Sequence, residues 1–211
     1  MSEPGGHLHR WTVDEIVDVE GPEFTVRTYT EQAGVRRYLE QIARREPLHQ
    51  VCDVGAGYGR MCLVLNEFCD HVVAFERDKD LAGKGRFLQP EVEFRDVVSL
   101  EELPATDGEF DFALVFTVLQ HMTHQAAAAT LAEIRRIIRV GGHVLLCEES
   151  DETYIDGDPN DHTRYFTFGR SADRYEAWMA PFELVDKSPR IIERGYSRPN
   201  VGDYLLFRAR L

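Results

Sequence analysis

The residues with the clearest chemical potential lie in the stretch Val51–Arg60, where three glycines at alternate positions follow a short apolar segment. Gly55, Gly57 and Gly59 carry no side chain, so the backbone there can approach a ligand that a Cβ atom would repel. Asp53 stands two residues before the first glycine. A carboxylate is unfavourable beside a pyrophosphate but favourable beside a cationic group. The stretch therefore predicts a binding loop for a nucleotide that carries positive charge.

The order of the glycines separates this loop from the dinucleotide-binding fingerprint G-x-G-x-x-G, because Arg60 occupies the position of the last glycine. Glu76 lies about twenty residues further on, at the end of the next apolar segment, where an acid can accept hydrogen bonds from both hydroxyl groups of a ribose. Arg77 follows it, with an aliphatic stem that can cover one face of an adenine ring. The alternative interpretation of Glu76 is a solvated loop acid.

Two further apolar segments end in candidate ligand contacts. Asp96 follows the first of them and can accept a hydrogen bond from an exocyclic amine, while Val97 can supply an apolar wall; the alternative is a plain turn acid. The segment Phe110–Leu119 predicts a buried parallel strand. Ligands of open α/β sheets bind at the carboxyl ends of strands, so Phe116, Thr117 and His121 should border the reaction chamber. His121 is a candidate general base, or alternatively a structural cap.

Residues 151–170 form a polar and aromatic segment, and a loop of this length inside a compact domain is usually a lid or a binding segment. Two side chains in or beside it could take a proton, Glu149 and His162. Three others are candidates for contact with a substrate, and the arginines among them could hold an acidic acceptor through two hydrogen bonds: Arg164, Tyr165 and Arg170. The alternative for each of these residues is a solvated, mobile loop.

Strands and helices alternate along the chain, which is typical of βαβ units. Seven strands are predicted, at residues 48–54, His71–Phe75, Val92–Phe94, Phe110–Leu119, His143–Cys147, Phe182–Lys187 and Tyr204–Leu211. Helices are predicted at Trp11–Val19, Glu31–Glu46, Arg60–Phe68, Lys79–Leu88, Thr123–Val140 and from a cap at Ser171 to Met179. The segment Thr28–Thr30 falls between the first two helices, and Gly141 and Gly142 are expected to end the fifth.

The pattern D-x-G-x-G-x-G at Asp53–Gly59 resembles motif I of the class I S-adenosylmethionine (SAM) dependent methyltransferases, whose ligand carries a sulfonium and an ammonium group. Phe-Asp-x-Ala-Leu-Val from Phe110, and Val-Leu-Gln-His ending at His121, resemble the fourth strand and its exit in small-molecule, type-11-like members. The helix and glycine pair before residue 143 extend the resemblance, which covers residues 48–150.

This resemblance implies an α/β fold, namely a doubly wound, Rossmann-like sheet of seven strands that is mostly parallel and ends in an antiparallel hairpin. It also implies SAM as cofactor and S-adenosylhomocysteine as product. The residues implied to hold SAM are Tyr29, Asp53, Gly55, Ala56, Gly57, Glu76, Arg77, Asp96, Val97 and Phe116. Tyr29 would touch the methionine end of the cofactor, since the segment before the first strand often folds over it; the alternative is simple packing.

Composition limits the partners. At 211 residues the chain predicts a single domain, divided into an N-terminal helical cap (1–46), a cofactor-binding core (47–150), a lid (151–180) and closing strands (181–211). A net charge of −13 would repel phosphate backbones, so no nucleic-acid partner is expected. The absence of an apolar run of ~20 residues predicts no membrane partner. The four cysteines form no C-x-x-C pair, which predicts neither a metal site nor a disulfide framework and favours a cytoplasmic location.

The expected function is methylation of a small molecule at oxygen or nitrogen, by in-line displacement at the sulfonium methyl. Two alternatives remain open: another SAM reaction, such as intramolecular displacement on the homocysteine chain, and a non-catalytic SAM-binding regulatory subunit. The sequence leaves open the acceptor, the atom methylated, the need for a general base, and whether the protein is a monomer or a homodimer.

Overall fold

A computed structural model describes residues 22–158, 166–191 and 200–210 of the chain. The helices are α1 (Pro22–Ala43), α2 (Cys62–Leu65), α3 (Lys79–Leu88), α4 (His124–Ile137) and α5 (Ala172–Met179), with a 3₁₀ turn at Leu119–His121. The strands are β1 (Leu48–Val54), β2 (Cys69–Glu76), β3 (Glu93–Asp96), β4 (Phe110–Phe116), β5 (Ile138–Glu148), β6 (Ile155–Asp156), β7 (Thr167–Phe168), β8 (Glu183–Ile191) and β9 (Asn200–Arg208).

Seven of these strands form one sheet in the order β3-β2-β1-β4-β5-β9-β8. Strands β1 to β5 pair in parallel, and β9 runs antiparallel to both of its neighbours, β5 and β8. The strand order reverses beside β1, so the exits of β1 and β4 diverge and leave a crevice at the carboxyl edge of the sheet. The predicted doubly wound sheet with an antiparallel terminal hairpin is confirmed.

The sheet is covered on both faces because alternate residues of each strand point to opposite sides. In β1, Cys52 and Val54 pack with residues of α4 and α5 in one apolar cluster. Val51 packs with residues of α1, α2 and α3 in a second cluster on the other face. None of the helices described in the structure is long and apolar enough to cross a membrane.

Several predicted elements differ in the structure. The segment Thr28–Thr30, expected between two helices, lies inside α1, while the first predicted helix, Trp11–Val19, lies outside the described residues. The helix predicted at Arg60–Phe68 is a single turn, Cys62–Leu65. A helix N-terminus therefore contributes little to the glycine loop, and the loop must be held by other contacts.

The helix expected to run to Val140 ends at Ile137, and the chain continues directly as β5. The residues at this junction are β-branched, which favours a strand over a helix. Gly141 and Gly142 therefore lie inside the strand, where its register with β4 is irregular. A Cβ at Gly142 would lie 2.8 Å from the carbonyl oxygen of Asp111, which explains a glycine at a crowded strand position.

Gly202 in β9 provides a test of this packing. Its φ is +129°, and an added Cβ would lie 2.0 Å from the carbonyl oxygen of Glu148. Gly202→Ala should therefore lower the free energy of unfolding by about 2 kcal/mol or more, a fall in Tm of about 4–8 °C. The matched control is Gly83→Ala, because nothing lies within 4 Å of a Cβ at this position of α3. It should stabilise the protein by about 0.5–1 kcal/mol. Thermal and urea unfolding measure both, and a similar effect of the two substitutions would contradict the packing described.

Candidate functional site

The glycine loop, residues 55–59, begins where β1 reaches the carboxyl edge of the sheet. The amides of its first two residues donate hydrogen bonds of 2.8 and 3.1 Å to the carbonyl oxygen of Phe75 in the neighbouring strand. All three glycines have positive φ, which only glycine adopts without strain. No atom lies within 4 Å of a Cβ built on Gly57. The loop is thus fixed at its base and open at its centre, where a ligand can approach the backbone.

Glu76 lies beside this opening. Its Oε2 accepts a 2.7 Å hydrogen bond from the Gly57 amide, and its Oε1 accepts a 2.6 Å bond from the Asp78 amide. Burial raises the pKa of this carboxyl group, although the backbone donors act in the opposite direction. Each carboxylate oxygen has two acceptor positions, so both oxygens can also accept from a ligand. Arg77 follows and is half-buried.

Asp96 stands next to Glu76 because the two residues are register partners on β3 and β2. Its Oδ1 lies 2.6 Å from Nη2 of Arg86, and this guanidinium lowers the pKa of the exposed Asp96 carboxyl group. Val97, the next residue, is buried. The structure therefore brings together the predicted ribose acceptor, the predicted adenine acceptor and an apolar side chain at one end of the crevice.

Asp53 lies in β1 directly before the loop and is 2% exposed. Among the residues that the structure describes, its side chain accepts one hydrogen bond, from the thiol of Cys62 at the long distance of 3.5 Å. Burial raises its pKa to about 7, since a thiol compensates poorly for the lost hydration of a carboxylate. A buried acid in this condition attracts a positively charged ligand strongly.

A group of charged residues that the sequence did not predict lies on the α1 side of the crevice. Glu31 of α1 is fully buried and forms ion pairs with three guanidinium groups, those of Arg27, Arg60 and Arg190. Burial alone would raise the pKa of Glu31, but the three arginines lower it, so the carboxylate stays ionised. The guanidinium carbons of Arg60 and Arg190 lie 5.3 and 5.6 Å from the ring centroid of Phe116.

Arg27 and Glu31 are four residues apart on α1, but Arg60 and Arg190 lie 29 and 159 residues from Glu31, so no local pattern could have linked the whole group. The one available signal was Arg60 directly after the glycines.

Phe116, predicted to contact the cofactor, is buried at the end of β4 with its ring centroid 6.4 Å from that of Tyr204. Ala56 is half-buried in the loop. Tyr29 is 69% exposed on α1, and its contact with the cofactor stays a prediction.

The post-β4 turn, residues 117–122, forms the opposite wall of the crevice. The buried carboxylate of Glu148, at the end of β5, accepts hydrogen bonds of 3.0–3.1 Å from three consecutive amides of this turn, those of residues 118, 119 and 120. Burial raises the pKa of Glu148 to about 7 despite these three donors. Gly55 packs against this wall, since an added Cβ there would lie 2.6 Å from Val118.

Thr117 begins this turn with a φ of +55°, and it is the one non-glycine residue of positive φ in the described ranges. A β-branched side chain in this conformation is a true outlier and costs about 1–2 kcal/mol. Strain of this kind persists only where surrounding contacts impose it, and it concentrates at functional sites. Here the amide of Thr117 donates a 2.8 Å hydrogen bond to the carbonyl oxygen of Cys147.

The predicted proton-transfer groups have structural partners. Nδ1 of His121 lies 2.8 Å from the carbonyl oxygen of Phe166, and its Nε2 lies 3.2 Å from the side-chain nitrogen Nε2 of Gln120. Both ring nitrogens therefore make contacts that suit a structural cap, the alternative interpretation of this residue. Glu149 is 4% exposed and accepts a 3.0 Å hydrogen bond from the Asp151 amide. Their catalytic roles stay predictions.

Three residues of the predicted lid, His162, Arg164 and Tyr165, lie outside the described residues. The fourth, Arg170, is fully buried and donates a 2.7 Å hydrogen bond to the carbonyl oxygen of Leu119 and another to that of Met122. A buried guanidinium whose N–H groups bond to backbone carbonyl oxygens is not available to bind a substrate. The structure thus argues against Arg170 as a substrate contact and indicates that it fastens the lid to the post-β4 turn.

Comparison with known proteins agrees with this geometry. Residues 52–146 match the sequence family described as "Methyltransferase domain". Over 116 residues the chain is 30% identical to a protein-L-isoaspartate O-methyltransferase of Rhodopseudomonas palustris, covering 53% of this chain and 54% of that protein. Over 131 residues it is 31% identical to a ubiquinone/menaquinone biosynthesis C-methyltransferase of Cupriavidus taiwanensis, covering 56% of this chain and 46% of that protein. The chain thus spans about half the length of these curated relatives.

The fold is shared with solved structures at lower identity. A SAM-dependent methyltransferase from Leishmania major superposes with a TM-score of 0.72 at 14% identity, covering 93% of this chain and 76% of that protein.

The buried position of Arg170 leads to a test of its structural role. Arg170→Met keeps the apolar stem but leaves two carbonyl oxygens without their donor, so it should lower the free energy of unfolding by about 3 kcal/mol, a fall in Tm of about 6–12 °C. The control is Arg174→Met, because Arg174 is an exposed arginine paired with Glu152 and should cost less than about 1 kcal/mol. Calorimetry measures both. Equal stability of the two variants would contradict the structural role and leave Arg170 as a candidate substrate contact.

Proposed function

Because this chain contains a class I SAM-dependent methyltransferase domain, we propose that it transfers the methyl group of SAM to a small-molecule acceptor, at oxygen or nitrogen. The observation that supports this most directly is the crevice itself. An open glycine backbone, a buried acid beneath it and two acidic side chains on neighbouring strands are arranged along one edge of the sheet.

The residues present fit the cofactor. Glu76 has acceptor positions for the two ribose hydroxyls, and Asp96 with Val97 offers an acceptor and an apolar wall to the adenine. Asp53 would face the cationic groups. We assign the methionine carboxylate of SAM to Arg60, the residue that replaces the last glycine of the dinucleotide-binding pattern. When bound, SAM supplies a methyl group on a positively charged sulfur, which is already a good leaving group.

The work left to the protein is alignment and exclusion of water. The glycine loop and the post-β4 turn form two walls that meet at Gly55 and Val118, and Phe116 lies between them at the end of β4. The β6-β7 hairpin leads out of β5 on the acceptor side, and Arg170 directly after it is fastened to the turn. We propose that this hairpin covers the acceptor and keeps water from the reacting atoms.

The acceptor itself is a separate question. The names of the two relatives describe different reactions, O-methylation of protein L-isoaspartate in one case and C-methylation in ubiquinone/menaquinone biosynthesis in the other. We favour a small molecule over nucleic acid because the net charge of −13 opposes polyanionic substrates. An acceptor that is neutral at oxygen or protonated at nitrogen would also need a base, and a carboxylate would not.

The proposal is tested by incubating the protein with SAM and a low-molecular-weight metabolite extract. Mass spectrometry should find S-adenosylhomocysteine together with a product one CH2 heavier than a metabolite. Release of methylthioadenosine instead would indicate displacement on the homocysteine chain. SAM binding without either product across extracts would favour a regulatory subunit, and binding of NAD in place of SAM would overturn the proposal.

Glu76→Ala should weaken SAM binding by about 1.5–3 kcal/mol, or about 10- to 150-fold in Kd, because two ribose hydroxyls lose a charged acceptor. Isothermal titration calorimetry measures the affinity, and a Tm close to that of the unchanged protein shows that the variant is folded. Glu102→Ala, at an exposed loop acid, is the control and should bind SAM normally. Unchanged affinity in Glu76→Ala would place the ribose elsewhere.

The pKa of Asp53 predicts how SAM affinity depends on pH. Burial raises that pKa to about 7, so the carboxylate that attracts the cation is fully present only above this value. As pH falls from 8 to 6, a proton must be displaced before SAM binds, and Kd should rise about ten-fold. Asp53→Asn should bind SAM more weakly at pH 8 and show little of this dependence. The same slope in both proteins would assign the effect to another group, such as Glu76.

A further inference from the structure

Thr117 is a residue whose conformation the proposed function does not explain. Its φ of +55° is unfavourable for a threonine, and a glycine would adopt it freely. Contacts of the following residues hold this conformation. The carboxylate of Glu148 accepts hydrogen bonds from the three consecutive amides immediately after Thr117. The chain thus holds a strained backbone conformation at the exit of β4, where a glycine would be unstrained.

The position of Thr117 is that of a ligand contact. It follows Phe116 at the carboxyl end of β4, and its neighbour Val118 packs against Gly55 of the glycine loop. Ligands of doubly wound sheets bind where such exits diverge. Thr117 is half-buried, so part of the residue is exposed at the exit of β4.

The hydroxyl group of Thr117 also remains available. Within the described part of the chain, the hydrogen bonds of the post-β4 turn involve the backbone amide of Thr117 and not its Oγ1. A threonine hydroxyl can both donate and accept. By contrast, most polar groups around it are already engaged: Glu148 by three amides, and Arg170 by two carbonyl oxygens.

We propose that Thr117 is a positioning residue for the acceptor, held in a left-handed conformation so that its hydroxyl group hydrogen-bonds a polar atom of the acceptor next to the nucleophile. This inference rests on the proposed methyl transfer. It requires that the acceptor carry a hydroxyl, amine or carboxylate group within hydrogen-bonding distance of Thr117. The strained backbone would fix the direction of the Thr117 hydroxyl group. Holding a nucleophile in line with the methyl group is the main contribution that a protein makes to such a reaction.

Three variants separate hydroxyl, strain and packing. Thr117→Val keeps the shape and the strain but removes the hydroxyl group, Thr117→Ser keeps the hydroxyl group, and Thr117→Gly removes both the hydroxyl group and the strain. The matched control is Thr106→Gly, since Thr106 is an exposed threonine in the loop that leads into the other end of β4. The measurements are Tm, the Kd of SAM, and the rate of S-adenosylhomocysteine release with the metabolite extract described above.

We expect Thr117→Val and Thr117→Gly to release S-adenosylhomocysteine at least ten-fold more slowly, with the Kd of SAM within two-fold of its original value. Thr117→Ser should retain at least a third of the rate. Thr117→Gly should raise Tm by about 2 °C because it relieves the left-handed strain, whereas Thr106→Gly should lower Tm by a similar amount and keep the full rate.

Other results would overturn the inference. A rate within two-fold of the original in Thr117→Val shows that the hydroxyl group does not position the acceptor. A fall of Tm in Thr117→Gly as large as that in Thr106→Gly shows that the turn is not strained. These outcomes are distinct from a failure of the proposed function, in which the unchanged protein itself binds no SAM or releases no S-adenosylhomocysteine.

Discussion

The contact between Gly55 and Val118 is the constraint on which the candidate site depends. A side chain at Gly55 has no room, because even a Cβ would lie 2.6 Å from Val118. The contact exists because β1 and β4 are adjacent and parallel, so their exits leave the sheet side by side. It sets the distance between the loop that can hold a nucleotide and the turn that can face an acceptor. The floor of the crevice is thus defined by backbone and one valine.

Three buried carboxylates surround this floor, and each is compensated differently. Glu31 stays ionised because three guanidinium groups lower its pKa. Glu148 accepts from three backbone amides, yet burial still raises its pKa to about 7. Asp53 has one weak thiol donor and the same raised pKa. The differences match their positions: the first two hold elements together, while the least compensated acid lies beneath the open loop, where a cation would complete its partners.

The cost of the site is concentrated in its walls. Thr117 carries backbone strain and Asp53 carries the free-energy penalty of a poorly solvated acid. The two-sided packing of the sheet offsets both, because its apolar clusters contain four of the seven residues of β1 and six of the seven of β4. A lid segment fastened through a buried arginine then links the acceptor side to the same turn. The arrangement explains how a short, polar loop region can hold a fixed geometry.

Local patterns predicted most of the elements that form the glycine-loop side of the crevice. Apolar segments of strand length located β1 to β5, the glycines located the loop, and acids at strand ends located Glu76 and Asp96. Each of these signals lies within a few residues of the feature it predicts. The error in α4 also has a local cause. A glycine pair resembles a helix end and predicts a helix that runs to Val140, but β-branched residues begin β5 at Ile138.

The sequence by itself determined the order of the elements, the doubly wound sheet and the side of the sheet at which a ligand binds, because periodicity and glycine placement act between near neighbours. Only the tertiary structure decided which distant residues share a site. Glu31 meets Arg190 across 159 positions, and Arg170 is turned into the interior. The backbone of Thr117 is left-handed directly before amides that a carboxylate from another strand holds. These outcomes depend on packing between elements, and no window of the chain contains both partners.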